Sequence, residues 1–213
     1  ISSVLCFVEP FQASLERGME GHRSAIIVGD IDNAMDCGLI YGRSSFFSAG
    51  GLIDRQKVLC RFLSHMAKHR RISALHSSMS YCNSYTALIG NEDSFGTNAG
   101  IEIKSNEELY QIAEETGSDL LMHQVAHNRM TVHFFYREFL PCTILAENRQ
   151  VQYEAKRAFD FFMIFYTGIA ALNLARDTKQ EKWKKRGENS VKAMSQLVKY
   201  SDWNFQNKHM LLQ

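Results

Sequence analysis

Ala25-Ile26-Ile27-Val28-Gly29-Asp30-Ile31-Asp32-Asn33-Ala34 is the stretch whose reading decides the fold. An apolar helical run meets Gly29, the residue type that most readily takes the left-handed conformation of a helix stop. Asp30 follows as an N-cap for the next helix. Asn33 stands three residues on, where a complete capping box would carry Glu or Gln. Ala34 is small enough to let two antiparallel helices approach closely. Helix, tight turn, helix: the stretch reads as a helical hairpin.

Outward from this hairpin the chain is helix-rich. Only 2 prolines occur in 213 residues, which leaves long helices uninterrupted. The 14 Phe and 9 Met suit helix packing, where Phe supplies buried area and Met fills irregular gaps. Residues 1–8 read as the tail of a helix, and Pro10 as the first turn of the next. From Phe11 to Val28 the apolar positions Phe11, Leu15, Met19 and Ile26 keep a helical spacing. Gly18 and Gly21 on that helix serve close approach. Small residues from Ala34 to Ser45 line one side of the second helix.

Two further helices are expected, Leu52 to Arg70 and Arg71 to Gly90, the second with Ile72, Leu75, Met79 and Cys82 facing inward. Residues 91–105 break the rhythm as an irregular loop rich in turn formers. Ser105 with Glu108 is a capping box for a short helix ending at Gly117. The next helix starts at Ser118-Asp119, with Leu120, Leu121, Val125, Met130 and Phe134 as its core positions, and ends at Arg137-Glu138-Phe139. Pro141 opens the helix after it, and Phe139 to Ala146 reads as a weaker copy of the opening hairpin. Glu154 to Arg176 is apolar nearly all round and calls for cover on several sides. Trp183 to Tyr200 is amphipathic. No strand is expected.

Composition excludes several function classes. A net charge of +1 offers no field to steer nucleic acid or an anionic membrane. The basic run from Lys179 to Arg186 is explained by a solvated helix face. No run approaches the roughly 18 apolar residues of a membrane span, and no secretory signal is present. Cys6, Cys37, Cys60, Cys82 and Cys142 are widely spaced and odd in number, which suits free thiols in a reducing, cytoplasmic setting.

Motifs for chemistry are weak. Gly50-Gly51 lacks the remainder of a phosphate-binding loop. His65 and His69, like His123 and His127, are spaced four apart on a helix face, but neither pair carries the Glu of H-E-x-x-H. His123 and His127, with His133, define the alternative of a small all-α enzyme or metal protein. Asp30 and Asp32 read as helix caps rather than paired catalytic carboxylates. Asp160, inside the apolar helix, would need a partner if buried. No catalytic residue and no cofactor-binding residue is assigned.

Taken in order, several stretches resemble a known family. They are Glu20-Gly21-His22-Arg23-Ser24 leading into Val28-Gly29-Asp30-Ile31-Asp32-Asn33-Ala34, then Ser45-Phe46-Phe47-Ser48-Ala49-Gly50 and Leu88-Ile89-Gly90. Phe165-Tyr166-Thr167-Gly168-Ile169-Ala170-Ala171-Leu172 and Asn204-Phe205-Gln206-Asn207-Lys208-His209-Met210-Leu211-Leu212 complete the set. The chain resembles the tetratricopeptide-like (TPR-like) helical region of multidomain signalling proteins. In these a protein-kinase-like domain and a predicted ATPase of the AAA/STAND type precede the helical region, and a histidine kinase or nucleotide cyclase follows. The resemblance implies an all-α fold of antiparallel hairpins stacked as a TPR-like α-solenoid over residues 1–213, itself a segment of something larger. It implies a non-catalytic scaffold that couples neighbouring domains or recruits a protein, with ATPase, kinase or cyclase activity residing elsewhere in the parent. Gly29, Asp30 and Ala34 are then structural turn residues, and the segment itself needs no cofactor.

Overall fold

The structure is a computed structural model that describes residues 12–48, 50–90, 101–148 and 160–213. The expected helical tail at residues 1–8, Pro10, Cys6, the loop core at 91–100 and residues 154–159 lie outside the described residues. What is described is all-α, with no strand among those residues.

The first four helices are α1 (Ala13–Ile27), α2 (Ile31–Phe46), α3 (Leu52–Lys68) and α4 (Ile72–Ile89). Then come α5 (Asn106–Glu115), α6 (Asp119–Phe135) and α7 (Phe139–Asn148). The last three are α8 (Asp160–Thr178), α9 (Glu181–Val198) and α10 (Asp202–Leu212).

One turn recurs. Residues 28–30, 69–71, 116–118 and 136–138 each join two helices. In the first, the Gly29 N–H donates to the Ile26 carbonyl and the Asp30 N–H to the Ala25 carbonyl. The same paired bonds recur at Arg70 and Arg71, at Gly117 and Ser118, and at Arg137 and Glu138. This is the Schellman arrangement, which satisfies the last carbonyls of a helix by setting one residue left-handed. Gly29 and Gly117 do so at φ 75° and 62°; Arg70 and Arg137 reach 54° and 60° despite carrying a Cβ. The turn read from Gly29 is therefore used four times, twice without the glycine that would have announced it.

The expected capping chemistry is present. Asp30 accepts from the Asn33 backbone N–H at 3.2 Å and from the Asn33 side-chain amide at 2.6 Å. Ser105 and Glu108 form the full capping box. α7 begins at Phe139, two residues before Pro141, which therefore falls in the first turn, where its missing N–H costs nothing.

The chain divides into two compact units. One runs from Phe11 to Val125; the other takes the rest of the described chain from Ala126 to Gln213. In the first, α1 packs on α2 and α3 on α4, while α2 also packs on both α3 and α4. Ala34, Leu59, Phe62, Leu63, Met66, Tyr81 and Tyr85 are among the residues of one continuous core. Small residues set the spacing: a Cβ on Gly38 would lie 2.9 Å from the Phe62 ring, and one on Gly42 2.9 Å from Leu59. Arg55 closes the end of α2 by donating to the carbonyls of Ser45 and Ser48.

In the second unit α8 is buried over most of its circumference from Phe161 to Ala171, as its apolar sequence requires. It packs on α7, α9 and α10. A Cβ on Gly168 would lie 2.6 Å from Ser190 and 2.7 Å from Leu212, so these helices meet at a distance only glycine permits. Asp160 is half-buried at the start of the described helix.

Two core assignments are corrected. Ile72 and Leu120 are half exposed, at 52% and 51%, although both fit the apolar period of their helices. Each sits in the first turn of its helix, directly after a hairpin turn, where the preceding helix has already ended and offers nothing to cover it.

Candidate functional site

The feature with the most specific geometry is the joint between the first two hairpins, within the Phe11–Val125 unit. It is built from α1, α2, α3 and the turn that follows α3. His22 on α1 is buried, and its Nδ1 donates to the Ala34 carbonyl on α2 at 2.8 Å. A carbonyl only accepts, so this bond fixes the proton on Nδ1 and leaves the Nε2 lone pair free. That lone pair faces Nδ1 of His65 on α3 at 3.3 Å, with His65 as donor.

The two rings lie 5.5 Å apart between centroids with planes inclined by only 19°. The two ring radii account for nearly all the difference between that distance and the N–N gap. The nitrogens therefore point at each other along the line of centres. Phe62 meets His22 edge-on at 4.7 Å and closes the apolar side. Burial, with His22, His69 and Lys68 nearby, holds the His65 ring below the usual histidine range. The joint is thus an N–H···N bridge between two hairpins.

A charged contact reinforces it on the surface. The Asp32 carboxylate pairs with the Arg71 guanidinium and brings the start of α2 beside the turn that opens α4. Of the two aspartates read as caps, Asp30 alone caps; Asp32 is engaged across the hairpins. Gly29 stands open, with no neighbour near the place a Cβ would occupy. Ala34 is fully buried, and its contribution is twofold: a small side chain and the carbonyl that orients His22.

Around the turns, large apolar side chains are left in water. Ile27 is 83% and Val28 76% exposed. Ile72 and Leu120 follow the next two turns of the same unit. In the other unit Phe135, Tyr136 and Leu140 flank the turn at residues 136–138 in the same manner.

The histidines singled out by spacing behave otherwise. His127 is buried, and burial pushes its ring down to about 3, so it is neutral at every ordinary pH. His123, on the same helix, is half-buried. The Nδ1 of His133 donates to the Glu138 carboxylate at 2.5 Å and so secures the end of α6 to the following turn. Among the described residues no group of three or more His, Cys, Asp or Glu side chains is placed to hold a metal ion. His65 was visible as a member of an i, i+4 pair with His69, but its partner is His22, 43 residues away. No local spacing announces that contact.

None of the described helices is long and apolar enough to cross a membrane. No protein-family model, curated protein or solved structure matches this chain.

Proposed function

We propose that this chain is a non-catalytic helical scaffold, its antiparallel hairpins stacked as a TPR-like α-solenoid. Its role is to couple neighbouring domains, or to recruit a protein, within a cytoplasmic signal-transduction ATPase. The observation that carries this reading is the placement of exposed apolar residues. Ile27, Val28 and Ile72 crowd two hairpin turns that the Asp32–Arg71 pair holds side by side. Large apolar side chains concentrated at one place on a surface mark a protein contact more often than a solvated face. The recurring three-residue turn supports the array, since each hairpin leaves a face for the next to cover. The ATPase context, with its kinase and cyclase neighbours, rests on the sequence resemblance alone.

The test takes the full polypeptide that contains these residues. The remaining domains are purified and titrated calorimetrically with the 213-residue chain, either native or carrying Ile27→Asp with Val28→Asp. The reading expects binding to the native chain and a loss of affinity of about tenfold or more in the variant, on the scale of a lost interface anchor. Circular dichroism should be unchanged because both side chains already lie in water, and melting should fall only slightly, since each carboxylate at the helix C-terminus opposes the dipole by about 0.3–1 kcal/mol. Equal binding by native and variant chains would remove the turn surface from the account. Turnover of a nucleotide by the isolated chain would remove the scaffold reading altogether.

A further inference from the structure

The first two hairpin turns carry charge beside their apolar surface, and the charge left over is of one sign. Arg23 stands on α1 four residues before Ile27, on the same helix face. Lys68 ends α3, and Arg70 is the left-handed residue of the turn that follows. All three are exposed, and none forms an ion pair with another of the described residues. The anions at these turns are already engaged. Asn33 takes up Asp30, and Arg71 takes up the Asp32 carboxylate. Glu20 and Asp36, the next carboxylates, stand about a helical turn further from the hairpin turn along α1 and α2.

The third turn of the same unit is the opposite case. Leu120 is exposed after it as Ile72 is after the second. Yet Glu114, Glu115 and Asp119 flank that turn, all exposed, and no Lys or Arg occurs between Lys104 and Arg129. The same backbone device thus presents apolar surface with cations at one place and with carboxylates at another. Whatever covers Ile27, Val28 and Ile72 must also answer the cations beside them, because a wholly apolar partner would bury charge without a counter-charge. An anionic lipid sheet offers negative charge, but attachment through basic residues takes clusters of about four to eight of them. A net charge of +1 adds no long-range attraction to such a sheet. Carboxylates placed locally, on a protein segment, match three cations around an apolar centre.

We propose that the occupant of the first two turns is an acidic amphipathic protein segment. Its large apolar side chains cover Ile27, Val28 and Ile72, and its carboxylates pair with Arg23, Lys68 and Arg70. This rests on the contact-surface reading above and names what that surface takes. Apolar burial at the centre supplies affinity, while the cations around it set selectivity and the rate of encounter. The carboxylates of the third turn repel the same segment, so the exposed Leu120 is no second site for it.

Fluorescence polarisation tests this with the 213-residue chain and a labelled synthetic peptide that carries Leu at helical spacing and Glu between. A second peptide has Gln in place of every Glu. The acidic peptide should bind about tenfold more tightly, and high salt should remove most of that margin. Lys68→Gln with Arg70→Gln should weaken the acidic peptide about fivefold and leave the Gln peptide unaffected. Both side chains are exposed and outside any ion pair, so circular dichroism should match the native chain. Ile27→Asp with Val28→Asp should weaken both peptides, and Leu120→Asp neither. If the Ile27 and Val28 variant loses binding and the Lys68 and Arg70 variant does not, the acidic occupant is overturned while the contact surface stands. If neither variant loses binding, both fall. Equal binding of the two peptides, binding of neither, or tighter binding to phosphatidylserine vesicles than to the acidic peptide would also overturn the proposal.

Discussion

The two units solve the same packing problem with different chemistry. In the Phe11–Val125 unit the helices are located by polar groups placed inside an apolar core. His22 bonds the Ala34 carbonyl, the Ser45 hydroxyl meets the Tyr85 hydroxyl at 3.0 Å, and the Gln124 amide reaches the Ser77 carbonyl. In the Ala126–Gln213 unit the interior is aromatic and fitted by shape. Phe134 lies 4.5 Å from Tyr166 and Phe161 4.8 Å from Phe205, and Gly168 lets α8 settle against Ser190 and Leu212. A hydrogen-bonded interior specifies register because a slipped helix strands its polar groups. A close-packed interior specifies it because a slipped helix collides. The first unit uses both devices, since Gly38 and Gly42 let α2 approach Phe62 and Leu59 closely.

Acid breaks the comparison most severely. His127 is in the second unit, with its ring at about 3 when folded against an ordinary value of 6.5. The unfolded chain therefore binds a proton that the folded chain refuses. The stability this residue protects is complete above pH 6.5 and is lost as pH falls toward 3. The loss is several kcal/mol by the relation of about 1.4 kcal/mol per unit. Urea titrations across that range should show the second unit weakening first, and His127→Gln should flatten the slope. A native chain equally stable at pH 7 and pH 4 would contradict the burial of that ring.

Steric and polar substitutions sharpen the contrast. Gly168→Ala places a Cβ 2.6 Å from Ser190 and should cost about 1–3 kcal/mol through overpacking, measured as a lowered denaturation midpoint. His22→Gln in the first unit removes the in-line bridge to His65 while leaving an amide near the Ala34 carbonyl. Its cost should be about 1 kcal/mol, the scale of one hydrogen bond, with a double-mutant cycle against His65→Ala showing coupling. Equal penalties at the two sites would erase the distinction. The smallest effect is a gain. Arg70 carries a side chain at φ 54°, so Arg70→Gly should relieve strain and raise stability by up to about 1 kcal/mol.

The sequence was legible where causes are local. Gly29, Asp30 and Asn33 announce a turn within six residues, and Ser105 with Glu108 announces another, because the groups they satisfy are a few bonds away. The turns at Arg70 and Arg137 were harder to see, since arginine is not a residue type that signals a left-handed backbone. Ile72 and Leu120 misled because periodicity reports which face of a helix a residue occupies, not whether a neighbour extends far enough to cover it. The His22–His65 bridge joins residues on separate helices. Nothing in the spacing of histidines encodes which of them the hairpins bring together.

The central claim is that the exposed apolar residues of the first two hairpin turns form a contact surface. Amide hydrogen exchange tests it most directly, comparing the 213-residue chain alone with the same residues inside the longer signalling polypeptide proposed above. The account predicts slower exchange in the larger protein at Ile27, Val28, Gly29 and Ile72, with the buried centres of α2 and α4 unchanged. Identical exchange at these turns in both settings would contradict it.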